Sequence, residues 1–547
     1  FLLRQDVLGI FDRVYNRAPP QPPSAQDYFR LFMVFSISAV TRYRRLRYAH
    51  GDSSEHPYGY YLAAQEYVGN IPLIGNADAI QNLLLVCRFG MYQHIGTSLW
   101  EISQFCMRQC VEQNLHARPR LGDDLLKEQH RRRIFWECYI SDRYSSGVLG
   151  RPFAIPENDI SVDLPIDAAD ETITDSMPTG LGLSDVPLNA DGRPTELSVF
   201  VFCIRLRRIT SRIHSAFYSS RDLSPVDGGV SSGHVYVLLY QFLGELETWR
   251  RAAPSFSEPR SLYERTEWYD FLLEKDKLLL VRGAIHTAPR CHDQPPEDLL
   301  GMCLGCATRI IELYESMARS RYITWTRGYF QVIFAAGLFI IYCVSLGLHH
   351  RGDDPAATKT RRTLQLCNDI LLAFKTEMPD AGRFAVVFGI LKDHFLRDPG
   401  SSLVGTSAGS AGHHQSGRPS HASNSHTSNL QHILTDGDGT TNTAINGSPV
   451  AIDEMSRMET DASGWHQQQH QQGGDGCFMM PTIHNIFDPL RADNLAYGEG
   501  NAFAPRHDLL RACPTLTDEM MEHLEADLGE FAWGTQGMEG FAWDNLY

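Results

Sequence analysis

Along residues 27–397 apolar side chains recur at intervals of three and four, and alternating runs long enough for strands are scarce. That pattern predicts an all-α fold, an irregular multi-helix bundle. Asn76-Ala-Asp78 opens one helix bearing Ile80, Leu83, Leu84 and Cys87, and Gly96-Thr97 separates it from a second bearing Leu99, Ile102, Phe105 and Cys106, which makes an α-hairpin. A further helix, from about Asp124 to Ser146, places Ile134, Phe135, Cys138 and Tyr139 on one face and stops before Gly147, Gly150 and Pro152. The stretch from Ile155 to Pro194, rich in Pro, Gly and Asp, reads as an extended crossing followed by a loop. Helical periodicity resumes over Leu197 to Tyr218, Val235 to Arg250, Leu262 to His286 and Asp298 to Met317. No fixed repeat of 20 to 50 residues emerges, which favours a bundle over a repeat array.

Gly328 to Leu348 contains no charged residue and is long enough to span a bilayer. Gln331 and Ser345, the isolation of the stretch and the amphipathic helices around it favour a buried core helix. The alternative is a membrane-associated helical protein anchored through residues 328–348.

Composition changes the picture in the last quarter of the chain. The 547 residues carry a net charge of −16, yet residues 1–397 hold 45 acidic and 44 basic side chains, while 398–547 hold 20 acidic and 5 basic. Residues 398–515 are dominated by Ser, Gly, His and Gln, from which no core can be built, and are expected to be a disordered linker. Leu516 to Tyr547 has eight acidic residues and no Lys or Arg. Met521, Leu524, Leu528 and Phe531 fall on one helical face there, and Phe531-Ala-Trp533 is echoed ten residues later by Phe541-Ala-Trp543. Acidic surroundings keep such apolar side chains hydrated and available to a partner groove, the composition of an activation segment that binds transcriptional coregulators. The same composition suits an acidic solubilising tail or a C-terminal helix docked on the body.

Other motifs carry little chemistry. Twelve irregularly spaced cysteines do not make a disulfide scaffold and fit a reducing compartment. Cys303-Leu-Gly-Cys306 lacks the second pair a structural zinc needs and reads as helical core. His349-His350 has no further ligand at suitable spacing. Gly405-Thr-Ser407-Ala-Gly409 matches a nucleophile-elbow expression, but without a strand before it or a helix after it. Thr41 to Tyr48 interleaves four arginines with aromatics and reads first as a solvated helix end. With no phosphate loop, dinucleotide fingerprint or metalloprotease helix in the sequence, a non-enzyme is expected, with no catalytic residue and no metal site.

The most informative segment runs from Arg131 to Pro165: an amphipathic helix, a glycine-bounded turn and an extended return. Asp142 lies four after Cys138 and three after Tyr139, so it continues the apolar stripe, is expected to be buried and needs a partner. Arg151, just beyond the turn, is the candidate.

Arg132-Arg133-Ile-Phe135-Trp136, Asp142-Arg143, Leu149-Gly150-Arg151-Pro152, Ile155-Pro156, Asp159-Ile160 and the closing Leu164-Pro165 together resemble the signature of the fungal-specific transcription factor domain, the middle regulatory region of fungal binuclear zinc-cluster activators. The resemblance extends over about residues 1–400. It implies an all-α regulatory domain of a nuclear regulator of RNA polymerase II transcription, often homodimeric and sometimes responsive to a small-molecule inducer. The family's six-cysteine cluster is absent from this sequence. Zinc and DNA contact are therefore expected of an N-terminal module outside it, in keeping with a chain that starts at Phe1 without an initiator Met.

Overall fold

The computed structural model describes residues 1–16, 21–50, 57–118, 125–170, 193–195, 197–218, 232–292, 294–319, 325–348, 355–396 and 516–534, without the side chains of 41–50, 125 and 232. Within these residues the chain forms fourteen α-helices and no strands. They are α1 (Arg4–Tyr15), α2 (Ala25–His50), α3 (Pro57–Gln65), α4 (Ala77–Gly90), α5 (Leu99–Glu112), α6 (Leu125–Val148) and α7 (Ser198–Phe217). There follow α8 (Ser232–Arg251), α9 (Thr266–Thr287), α10 (Glu297–Arg319), α11 (Arg327–Ser345), α12 (Pro355–Glu377), α13 (Gly382–Phe395) and α14 (Asp518–Trp533). All belong to one compact unit; a second, of residues 410–506 and 540–547, lies outside the described residues.

Local signals set the boundaries. The Asn76 side chain accepts the Ala79 N–H at 2.8 Å and Ser98 accepts from Glu101, so α4 and α5 begin at side-chain caps and pack as the expected hairpin. At the end of α6, Gly150 takes a left-handed φ of 61°, and the Arg151 N–H returns to the Ser146 carbonyl at 2.9 Å. That is a glycine-dependent Schellman stop. Helix α1 lies upstream of the stretch whose periodicity was read as helical. The Arg-rich end of α2 is helical in its backbone to His50, and its side chains lie outside the described residues.

Helix α11 is the centre of the second half. Ile333, Phe334, Leu338, Ile340, Ile341 and Cys343 are at most 1 % exposed, so its uncharged stretch is core rather than a bilayer anchor. Gly337 makes the packing possible, since a Cβ there would lie 2.4 Å from Phe388 of α13 and 2.7 Å from Cys367 of α12. Cys303 is buried in α10, and Cys306 is half-buried. His349-His350 and the Gly405 to Gly409 stretch lie outside the described residues.

Candidate functional site: the groove that holds the terminal helix

The signature segment builds one wall of the site. Helix α6 sends a row of arginines onto the backbone that returns past it. Arg132 donates to the Leu164 carbonyl at 3.0 Å and pairs with Glu128, Arg133 reaches Asp170 at 2.6 Å, and Arg143 donates to the Ile155 carbonyl at 2.6 Å. The Trp136 indole N–H donates to the Asp163 carbonyl at 3.0 Å, and the Tyr139 hydroxyl to Glu157 at 2.6 Å. Phe135 stacks edge-on to Trp136, and both are buried. Ile155 and Pro165 are buried along the return, Ile160 is half-buried, and Pro152, Pro156 and Asp159 are exposed around a short 3-10 turn at Glu157–Asp159.

Asp142 is fully buried, as its place on the apolar stripe predicts, but Arg151 is not its partner. Asp142 pairs with the adjacent Arg143 and accepts from Gln104 at 2.6 Å, Ser146 at 3.2 Å and the Ala154 N–H at 3.2 Å. Burial pushes its carboxyl up, opposed by Arg143. The Schellman turn carries Arg151 past Asp142 to the outer side of α5. There its guanidinium lies over the Trp100 ring, 4.2 Å from the centroid, and pairs with Glu530 of α14.

Arg151 is one of a line of groups that hold α14 against α6, α9, α11 and α13. At the N-terminal end the Leu516 N–H donates to Ser345 Oγ at 3.2 Å, Thr517 caps the helix, and Asp518 takes Arg290 and the Tyr342 hydroxyl. In the middle Glu525 pairs with Arg282, whose guanidinium lies 4.3 Å from the Phe339 centroid. At the C-terminal end Arg327 donates to the Phe531 carbonyl at 3.0 Å, Ser98 to the Trp533 carbonyl at 3.1 Å, and the Trp533 indole N–H to Gln331 at 3.3 Å. The two arginines nearest the last turn also complement its negative dipole end.

The buried face of α14 is the apolar face read from the sequence. Met521, Leu528, Phe531 and Trp533 are 1 to 6 % exposed and Leu524 is half-buried; Phe541 and Trp543 lie outside the described residues. Phe531 meets Phe384 at 4.8 Å and Phe330 at 5.5 Å between ring centroids, and Trp533 meets Tyr144 of α6 at 5.0 Å. Gly529 lets the helix close on the end of α6: a Cβ there would lie 3.3 Å from Leu149 Cδ2 and 3.4 Å from Val148 Cγ1. Burying four large side chains, each contributing about 1.5–3 kcal/mol, is what makes docking favourable; the ion pairs chiefly fix its register.

Burial raises the proton affinity of two carboxyls of the helix. Glu525 is pushed up by burial against the opposing pull of Arg282, and Asp527 is pushed up to about 6 by burial, opposed by His523 and Arg383. Between α14 and its bed is a void of about 10 Å³ beside Arg282, Phe339, Tyr342 and Met521, room for about one water and not for a metabolite. The described residues do not fit zinc either: no group of three or more potential ligands is placed to hold a metal. Cys106, Cys110 and Cys138 are buried thiols, Cys138 pushed up by burial and Cys106 by its bond to Cys138.

Ser98, Arg282, Arg290 and Arg327 are site residues that sequence reasoning did not single out. The signal was partly present, because Gln331 and Ser345 interrupt the most apolar helix, and both turn out to bind α14.

The profile of the fungal specific transcription factor domain matches residues 9–227. The chain is also 21 % identical over 428 residues to a positive regulator of purine utilization of Emericella nidulans, an alignment covering 62 % of this chain and 40 % of that protein. A probable transcription factor, FUP6, of Fusarium proliferatum is 23 % identical over 351 residues, 56 % of this chain and 48 % of that one. The putative transcriptional regulatory protein YJL206C of Saccharomyces cerevisiae is 30 % identical over 195 residues, 32 % and 24 % of the two chains. The alignments thus span less than half the length of these relatives. No solved structure matches the chain.

Proposed function

We propose, for a chain whose residues 9–227 are a fungal specific transcription factor domain, that it is the regulatory portion of a fungal zinc-cluster transcription factor and that its helical body stores the acidic aromatic helix it would use for activation. The observation that carries this reading is the burial of Phe531 and Trp533 in a groove whose wall is the family signature, with Arg151 of that signature paired to Glu530. The side chains suited to a coregulator are the ones the body occupies, so docked helix and presented helix exclude one another.

In this reading the protein performs no catalytic step and works in the nucleus. Zinc and DNA contact belong to a part of the parent protein beyond this sequence, coregulators bind residues 516–547, and an inducer, where one acts, does so by loosening the groove. Relatives named as a probable transcription factor and a putative transcriptional regulatory protein support it.

The test is a reporter assay with the chain fused to a heterologous DNA-binding domain. Residues 516–547 alone should activate, the whole chain should activate less, and Arg151→Ala with Arg327→Ala should restore activity to the whole chain. An isolated segment that fails to activate would overturn the reading.

A further inference from the structure

The hydrogen bonds, ion pairs and ring contacts that seat α14 run from residues 516–533 to partners between Ser98 and Phe384. Between Leu396, at the end of the body, and Leu516 lie 119 residues. Helix and groove are thus a ligand and its receptor carried on one chain. None of these contacts depends on which copy of the chain supplies the helix.

The fit selects the occupant. Three carboxylates spaced seven and five residues apart, Asp518, Glu525 and Glu530, meet Arg290, Arg282 and Arg151. Position 529 favours glycine, because a Cβ there would lie 3.3 Å from Leu149 Cδ2. Beside Arg282 and Phe339 the docked helix leaves a void of only about 10 Å³. An acidic helix of another protein could match the charge, but a second copy of this chain matches charge, spacing and shape together. Against that copy, a chain's own helix has the advantage of effective concentration alone, which falls as the connection lengthens.

We propose that α14 is exchanged between copies: in two chains held close together, the helix of each docks in the groove of the other, through the same three ion pairs and the same ring contacts. Each groove is then completed by the other copy. Exchange keeps Phe531 and Trp533 buried, so it does not itself present the segment. It couples release of the helix to separation of the copies, because exchanged helices hold the two chains together until both grooves let go. The inference rests on the docked geometry and not on the transcriptional reading, so a silent reporter would leave it standing.

Charge exchange between two full-length variants tests it. One carries Arg151→Glu with Arg290→Glu in the groove, the other Asp518→Arg with Glu530→Arg in the helix, so each sets like charges against one another within its own chain. Alone, each should exchange its amides over 518–533 about tenfold faster than the intact chain, since like charges juxtaposed at an interface oppose docking. Mixed in equal amounts, the two chains offer each other matched grooves and helices. Protection over 518–533 should then return toward the intact level, with a 1:1 complex of the two in sedimentation. A single chain carrying all four substitutions should dock its own helix, and unchanged protection in α4 and α5 shows that the variants fold. If the mixture exchanges over 518–533 as the average of its two components, the proposal is overturned.

Discussion

Arg327 holds Phe531 twice: its guanidinium lies 4.7 Å from the ring centroid and donates to the same residue's carbonyl at 3.0 Å. It also pairs with Asp380, so one buried cation ties the terminal helix to the turn before α13. Arg327→Ala is expected to weaken docking by about 1.5–3 kcal/mol, the range for a hydrogen bond to a charged group. Hydrogen exchange should show this as faster exchange over 518–533, with α4 and α5 unchanged.

Removing Asp142 should destabilise the whole fold rather than the docked helix alone. Asp142→Ala leaves Arg143 buried with only part of its compensation and frees the Gln104 and Ala154 donors, at a cost of about 3–5 kcal/mol. Asp142→Asn retains an acceptor for Ala154 and should cost less. Urea denaturation of the three proteins checks the order.

Gly337→Ala tests the α11 crossing. Its Cβ would meet the Phe388 ring at 2.4 Å and Cys367 Sγ at 2.7 Å, and an overpacked core site of this kind costs about 1–3 kcal/mol. A lowered urea midpoint with an unchanged m-value is the expected result.

Docking should strengthen in acid. The docked carboxyls of Glu525 and Asp527 have proton affinities above their free values, so the docked state binds more protons than the released one. Their contribution is most favourable below the free carboxylate range and is lost as pH rises through about 6, where docked Asp527 titrates. Protection over 518–533, corrected for intrinsic exchange rates, should therefore be higher below pH 6 than above it. Asp527→Asn should flatten that dependence.

Much of this architecture could be read from the order of residues. Asn76 as a cap, Gly150 as a stop and the burial of Asp142 follow from local rules, because caps, turns and stripes depend on neighbours a few residues apart. The core placement of α11 followed from two polar interruptions in an apolar helix. Arg151 was assigned to the wrong carboxylate because its partner lies 379 residues away along the chain, and sequence spacing cannot rank a distant glutamate above a near aspartate. The bed of α14 was invisible for the same reason: Ser98, Arg282, Arg290 and Arg327 come from four elements, and only the fold brings them together. That the acidic helix would be docked was one of three readings its composition allowed, and composition could not choose among them.

The arginine row of α6 has a consequence for how the return past it can vary. Arg132 and Arg143 grip the carbonyl oxygens of Leu164 and Ile155, and Trp136 that of Asp163, atoms that every amino acid contributes. The helix therefore dictates the path of residues 155–164 through main-chain atoms, while Ile155 is held as well by its own burial and Asp163 by the Arg132 guanidinium. Their surface-facing neighbours can be rewritten without moving the backbone, which makes this strap a natural place for one regulator to differ from another in what it touches while the groove beneath keeps its shape.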